Sequence, residues 1–518
     1  MRSEQARVLI VGAGLGGLTT ALFLGLHGVR SVVVDRHPGT SNQPKARGQT
    51  PVLMEAFAAA GVADALVAAA PPGRPEMTIV ICSSVTGEVI RRVDEEFPDY
   101  PALSPAPYGI ASQQRAEAAL AARAAALGAD LRFNTKLESF TQDGYGVRAA
   151  VRALDTGEEY RIEAEYLVAA DGHRSAIAEA AGIGSHGRGR FTSVTTTLFA
   201  ADLADILPDT AVLLYNVPAL GAVLVSTDVP GEYVAGLPAD PDRTEAQTVE
   251  LIRTVVGIDD LEVRLIGAQT FPMAHRVADR MSAGRVHLVG DAAHLMPPTG
   301  GQGGNLAMLD GLHLAWKLAA VVKGEAGPRL LDSHNSEQLP YGEAMADWQY
   351  GNLIERQRPD LVGEVDEIPL RDLDPAYGMF GYVRPAGAFV AGPGDGALFE
   401  DPMRPTGRPG TRAPHVTLRR AGTDVSTRDL FHRGFVLLTG DPAWAKAAGS
   451  VAARRGLRLD SHVIGADLAD PDDRWTTAYQ VPADGAVLVR PDGIIGWRTG
   501  DAADEAALDL TLRLILDR

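Results

Sequence analysis

Cysteine is almost absent from this chain: Cys82 stands alone among 518 residues. One thiol forms no internal disulfide and supplies no CxxC redox pair or zinc ligand set. A lone thiol in a chain of this length reads as a packed side chain rather than a nucleophile. Positive charge is also scarce. Lys plus Arg number 48 against 66 Asp plus Glu, for a net charge of −18. With no basic stripe to meet phosphates, nucleic acid and anionic membranes are excluded as expected partners. Long apolar runs are missing too. Val8 to Val29 is hydrophobic but is broken by glycines, a Thr pair and His27. It falls short of the roughly 20 strongly apolar residues of a membrane span, and no basic segment and cleavage site mark it as a signal peptide. Repeats and low-complexity blocks are lacking, and the spacing of His275, His287 and His313 offers no metal site. These absences point to a soluble protein of a reducing cytoplasm, with no metal and no membrane.

What is present is a globular composition, 46% apolar and 22% charged, in a chain long enough for about three domains. "RVLIV" (7–11) is a short apolar run suited to a strand buried on both faces. A helix over 12–26 follows, stopped by Gly28, and then the strand "SVVV" ending at Asp35. Strand, helix and strand with short connections make a parallel βαβ unit. The Ala-rich segment 112–127 predicts a helix, "ADLRFNTKLESF" a strand, and "EEYRIEAEYLVAADG" a strand returning to the first sheet. Residues 191–265 alternate and are rich in β-branched residues, which predicts a largely antiparallel sheet covering a substrate. "RVHLV" (285–289) predicts another buried strand, and 305–323 a helix with apolar residues at three- and four-residue spacing. The Pro- and Gly-rich stretch 385–414 reads as a linker or extended wrap. A compact tail follows: strand "FVLLTG", helix 443–455, strand "RLDSHVI", the hairpin "AVLVRPDGIIGW" and helix 504–516.

The first βαβ unit carries G-x-G-x-x-G at Gly12, Gly14 and Gly17. Gly12 suits a tight turn. Gly14 lets a pyrophosphate approach the amides at the helix start, beside Leu15. Gly17 lets helix and sheet close up. Asp35 lies 18 residues past Gly17, where a carboxylate can accept from a ribose hydroxyl. It disfavours a 2′-phosphate, while Arg36 argues the other way or stacks on an adenine. The motif predicts an adenine dinucleotide and leaves FAD and NAD open.

Two later motifs follow apolar strands: Asp171-Gly172, and "GRVHLVGDAAHLMPPTGGQGGN" ending at Asn305. With the first they resemble the three fingerprints of the flavin monooxygenases of the para-hydroxybenzoate hydroxylase type. The tail stretches "PGTRAPHVTL", "DLFHRGFVLLTG" and "GAVLVRPDGIIGWR" resemble the phenol hydroxylases and aromatic polyketide hydroxylases. The resemblance implies an α/β fold: a Rossmann-like FAD-binding domain, an interleaved antiparallel-sheet substrate domain and a C-terminal thioredoxin-like α/β domain. The implied boundaries are 1–180 with 270–390 for FAD, 181–269 for substrate with a contribution from 75–110, and 391–518 for the tail. It implies that Asp291 binds the ribityl hydroxyls and that Pro298 lies beside the isoalloxazine edge. The amides near Gly301, Gly303, Gly304 and Asn305 would face its N1 and C2 carbonyl. Uncapped amides and about half a positive charge suit the anion that reduction leaves there. Arg47, in "KARG", would lie near the flavin, Gln113, in "SQQRAEAAL", would contact FAD, and Leu137 would offer backbone to the adenine side. The sequence departs from the pattern at Ala178 (for Arg), Gly304 (for Met), Gly311 (for Ala) and "SEQLP" (for E-R-x-P). Ala178 bears on how NAD(P)H docks. His294 is implied to be structural.

The expected activity is FAD-dependent hydroxylation of a phenolic or polycyclic aromatic substrate. NADPH or NADH is the transient reductant and O2 the co-substrate, and the reaction runs through a flavin C4a-hydroperoxide. The protein would be a monomer or homodimer. Baeyer–Villiger oxygenation of a ketone is the competing enzymatic reading, and a non-catalytic flavin-binding redox sensor the competing class. A flavin halogenase is disfavoured by the lack of W-x-W-x-I-P, and a plain NAD dehydrogenase would be colourless.

Overall fold

The structure is a computed structural model that describes residues 2–42, 47–67, 76–96, 100–208, 212–357, 373–392 and 396–518. Lys45 of the Lys-Ala-Arg-Gly loop and part of the 385–414 wrap lie outside those residues. Helices referred to below are α1 (Leu15–Leu26), α2 (Pro51–Ala60), α3 (Gln113–Ala126), α4 (Glu245–Val256), α5 (Gln302–Val322), α6 (Asp332–Gln357), α7 (Pro442–Arg455) and α8 (Glu505–Ile515).

A first sheet has the order Ser282–Ala283, Val286–Leu288, Glu159–Ala169, Ser3–Val11, Ser31–Val34, Asp130–Arg132. Its central strands run parallel, with Val11 opposite Ala169 and Val34, and Ala169 opposite Leu288. That register brings the carboxyl ends of three strands to one edge. The Gly12 loop, Asp171-Gly172 and Gly290-Asp291 all leave from that edge, where open α/β sheets bind ligands. Val8, Leu9 and Ile10 are fully buried, which explains why the strand reads as an unbroken apolar run rather than an alternating one. The segment read as one strand from 129 to 140 is two, Asp130–Arg132 and Thr135–Gln142. The break falls at Asn134, whose φ of 50° is a left-handed conformation that Asn tolerates better than most residues.

The second sheet has eight strands in the order His294–Leu295, Arg264–Ala278, Ser185–Ala200, Glu232–Pro238, Ala222–Ser226, Val212–Val217, Glu76–Cys82, Val89–Glu96. Neighbours are antiparallel except Val212–Val217 with Glu76–Cys82, which are parallel. The alternation between 191 and 265 hid α4, which covers one face of this sheet. Its Ile252, Val255 and Val256 pack with Val80, Phe199, Leu213 and Leu224. Thr244 starts the helix with a capping box to Gln247, a signal legible in the sequence but overlooked. Cys82 is buried in the same cluster, and burial pushes its thiol up, as suits a packed side chain.

The C-terminal unit is a four-stranded sheet, Leu459–Val463, Phe435–Thr439, Ala486–Val489, Ile495–Thr499, with its first pair parallel and the others antiparallel. α7 and α8 pack on one face through Trp444, Val451, Leu508 and Leu512. This is the thioredoxin-like arrangement. Trp316 and Ala320 of α5 belong to that same apolar cluster, so the unit is docked on the long mid-chain helix. Each fully buried large side chain of this kind contributes about 1.5–3 kcal/mol. Among the described residues no helix is long and apolar enough to cross a membrane.

Candidate cofactor site

Gly12 turns the chain at φ +110°, and a Cβ there would lie 2.0 Å from the Ala170 carbonyl oxygen. No side chain but glycine fits. Gly14 heads α1 with no side-chain cap and no acid in the first turn. A Cβ on Gly14 would meet only a Glu117 oxygen at 3.8 Å. The start of α1 therefore presents bare amides to open space. Gly17 instead packs against the Gly12 carbonyl, as its role in helix–sheet closure requires. Leu15 is buried beneath the turn.

Asp35 braces this loop. Its Oδ2 accepts from Ala13 N–H at 2.7 Å, and its Oδ1 accepts from His37 N–H at 2.8 Å. Its own carbonyl accepts from Thr135 N–H, which places Leu137 two residues into the strand beside it. Arg36 is exposed. Gln113 does not stand alone at the start of α3: its amide donates to Glu117 Oε1 at 2.7 Å, and Glu117 Oε2 accepts from Ser41 N–H. Sequence reasoning matched Glu117 as the acid of a Q-x-x-x-E-x-x-L helix but gave it no role of its own. The signal was available, since it sits one turn past Gln113 on the buried side of an Ala-rich helix.

The second and third loops are pinned together. Ser175 Oγ donates to the Ala292 carbonyl and accepts from Arg276 Nη2 at 2.7 Å. Asp171 Oδ2 accepts from Ile177 N–H at 3.0 Å. Burial nevertheless pushes the Asp171 carboxyl above its ordinary range. Ala178, where the resemblance expects Arg, is buried. Asp291 is exposed between buried Gly290 and Ala292, and Pro298 is exposed after buried Pro297.

Gly301 caps α5 at φ +65°, again with no side-chain cap and no acid in the first turn. A Cβ on Gly303 would meet nothing within 4 Å. Gly303 thus leaves the amides of the first turn approachable. The Asn305 side chain faces inward: Oδ1 accepts from Thr50 N–H at 3.0 Å, and Nδ2 donates to the Gly301 carbonyl. It ties the start of α5 to the start of α2. Arg47 lies just upstream of Thr50 and reaches across to Ser226 Oγ of the second sheet at 3.4 Å. Burial lowers its pKa, opposed by the Asp228 carboxylate.

α1 and α5 meet tightly. A Cβ on Gly16 would lie 3.0 Å from the Ala307 carbonyl, and one on Gly311 would lie 2.8 Å from the Gly16 carbonyl and 2.9 Å from Thr20 N. Gly16 thus meets Ala307 while Thr20 meets Gly311. The helices run the same way, and their two uncapped N-termini open at one end. That is also the edge where the three loops leave the first sheet. Two helix dipoles and two sets of free amides there favour an extended anion. The residues fit a dinucleotide whose phosphates meet α1 and whose electron-rich end meets α5.

His294 and Asp310 form a fully buried pair, Nε2 to Oδ2 at 2.7 Å, and Asp310 also accepts from Gly290 N–H and Gln338. Burial alone would lower the imidazole pKa, but the carboxylate wins and holds it above its ordinary value. The pair binds the third loop to α5. His275, His287 and His313 are interior side chains, on Asp347, Ser282 and Asp492 respectively.

The FAD binding domain family matches residues 5–349, and the family described as aromatic-ring hydroxylase, C-terminal, matches 406–518. Aklavinone 12-hydroxylase of Streptomyces purpurascens is 39% identical over 539 residues, covering 100% of both chains. Tetracenomycin A2 monooxygenase-dioxygenase of Streptomyces glaucescens is 35% identical, covering 98% of this chain and 96% of that one. The crystal structure of a ternary complex of aklavinone-11 hydroxylase with FAD and aklavinone superposes with a TM-score of 0.92 at 38% identity, over 100% of both chains.

Proposed function

Given that the chain belongs to the FAD-binding aromatic-ring hydroxylases, we propose that it hydroxylates a fused-ring aromatic polyketide carrying phenol groups, using O2 and a reduced nicotinamide nucleotide. The observation that carries this reading is the pair of parallel, uncapped helix starts at Gly14 and Gly301, opening at the strand edge. When bound, FAD supplies hydride acceptance from NAD(P)H and activation of dioxygen.

The chain's own residues bind and orient. Amides at Leu15 and its neighbours hold the pyrophosphate, and Asp35 accepts from the adenosine ribose with lone pairs left by Ala13 and His37. The Gln113–Glu117 pair lines the same stretch, and the Leu137 backbone borders the adenine. Asp291 accepts from ribityl hydroxyls. The first-turn amides of α5, at Gly303, Gly304 and Asn305, stabilise negative charge on the reduced ring, with Pro298 at its edge. Arg47 sits at the joint between the two sheets, where substrate and cofactor meet. The reductant docks transiently, since no second dinucleotide fold is present among the described residues.

The test uses the purified protein. It should be yellow and release FAD on denaturation. Polycyclic phenolic quinones should accelerate NAD(P)H oxidation more than simple phenols do. The product should gain one oxygen, located by NMR on a ring carbon as a hydroxyl. A colourless protein, or oxygen inserted next to a ketone, would overturn the reading.

A further inference from the structure

A cavity of about 40 Å³ lies where α2, α5 and the C-terminal unit meet. The buried charge around it does not balance. Glu55 of α2 accepts from Arg428 Nε at 2.8 Å and pairs with Arg412. Glu337 of α6 pairs with Arg490 at 2.8 Å, Lys317 at 3.0 Å and Arg384 at 3.4 Å. Asp492 bonds Arg490, His313 and Trp316. Five cations thus share three carboxylates in this network among the described residues, an excess of two positive charges; Arg384, Arg412, Arg428 and Asp492 line the cavity, while Lys317, Arg490, Glu55 and Glu337 stand behind its wall. Burying unpaired charge is costly, so an excess of this size calls for a counter-charge.

His432 supplies a second, independent observation. It is 1% exposed, and neither ring nitrogen has a hydrogen-bond partner among the described residues. Its backbone is held at φ +74°, a conformation unusual for a residue other than glycine. Arg412 Nε is likewise buried without a partner. Both residues line the cavity, beside Arg384 and Arg428. Burial and then Arg428 push the His432 pKa down to about 3, so the neutral ring offers one N–H donor rather than another charge.

Size and walls choose the ligand. The space exceeds the roughly 10–15 Å³ that one water molecule needs and suits a single small body somewhat larger than water. Leu309, Leu312 and Ile494 form an apolar part of the wall, which rewards a weakly hydrated ion over a strongly hydrated one. We propose that this cavity binds one small monovalent inorganic anion of the halide class, held by N–H groups of His432 and the surrounding arginines. The anion offsets the surplus charge and joins α2 and α5 to the C-terminal unit. This site is separate from the dinucleotide cradle and does not rest on its assignment.

The wild-type holoenzyme, crystallised from bromide, should show an anomalous peak within hydrogen-bond distance of His432. In solution, replacing methanesulfonate by bromide at equal ionic strength should raise the unfolding midpoint by about 2–4 °C. His432→Asn, which tolerates the left-handed backbone, should lose the peak and most of that rise. A cavity holding only water, with no anomalous signal and equal midpoints in both salts, would overturn the proposal. If His432→Asn does not fold, the wild-type map and the salt comparison still decide.

Discussion

Gly311→Ala is the substitution that most directly probes how the cradle is assembled. By local chemistry it should help. Gly311 is mid-helix, and alanine there gains about 1 kcal/mol of helix propensity. The packing argues the reverse. The new methyl would lie 2.8 Å from the Gly16 carbonyl oxygen and 2.9 Å from Thr20 N, whereas ordinary contact begins near 3.4 Å. α1 and α5 would have to part by about 0.6 Å, and the opposing atoms are mostly backbone, which cannot rotate aside. Overpacking of this kind costs about 1–3 kcal/mol. Net destabilisation of about 1 kcal/mol should remain, with a lower midpoint in urea. Because the two helix starts are displaced relative to each other, FAD should also dissociate more readily, read by ultrafiltration and flavin absorbance. A variant that is more stable than wild type and keeps its flavin as tightly would refute the crossing as the element that sets the cradle.

Asp291→Ala should weaken FAD retention about 10- to 100-fold, the worth of hydrogen bonds to a charged group, with the unfolding of the apoprotein little changed; equal flavin occupancy after dialysis would remove Asp291 from the site. Glu55→Gln strips the countercharge from Arg412 and Arg428 and should cost about 3–5 kcal/mol, seen as earlier unfolding and faster proteolysis between the flavin-binding region and the C-terminal unit. Stability should fall steeply as pH drops from 6.5 to 4. Burial pushes His287, His334 and His432 to about 3, 4 and 3, so the unfolded chain takes up protons that the folded one refuses, and stability present above the unfolded value near 6.5 is lost towards the folded values. His294 has the opposite sign: Asp310 holds it raised against burial, so its contribution is full below 6.5 and is lost as pH rises through the folded value. Urea titrations at several pH values check both trends, and a flat profile between 6.5 and 4 would contradict the first.

The parallel core was legible because its strands are buried on both faces and are bounded by glycine motifs of fixed chemistry. The helix start at Gly301 was legible for a similar reason: bare backbone before a long apolar helix has few uses. What escaped was tertiary. α4 was masked by the β-branched run around it, although Thr244 and Gln247 spell its cap. The pairing of Val212–Val217 with Glu76–Cys82 joins strands far apart in the chain, and no local pattern encodes such a register. At the cradle, sequence reasoning assigned Asn305 through its backbone amide. It did not reveal that the side chain clamps Thr50 and Gly301. Nor did it single out Asp310, an acid inside an apolar helix, whose buried position is explained only once His294, Gly290 and Gln338 surround it. Buried polar residues are satisfied by distant partners, so their roles appear only in three dimensions.

Those distant partners explain how a unit without catalytic cysteines bears on a cofactor site it does not form. Apolar contacts alone would let the C-terminal sheet slide on α5, because Trp316 and Ala320 offer area but little direction. The polar contacts remove that freedom. Asp492 receives both Trp316 Nε1–H at 3.0 Å and His313, and Arg490 is bidentate on Glu337 of α6. Arg428 grips Glu55 on α2, whose first residue follows the Thr50 that Asn305 holds. Such pairs contribute little net stability against apolar substitutes, yet they are lost abruptly when geometry shifts. The unit therefore acts on α2 at Glu55 and on α5 at His313 and Trp316, beyond their first turns. Changes at Arg428 or Asp492 should be read in flavin affinity as well as in unfolding. If both variants unfolded early yet held FAD as wild type does, the coupling between the two regions would be ruled out.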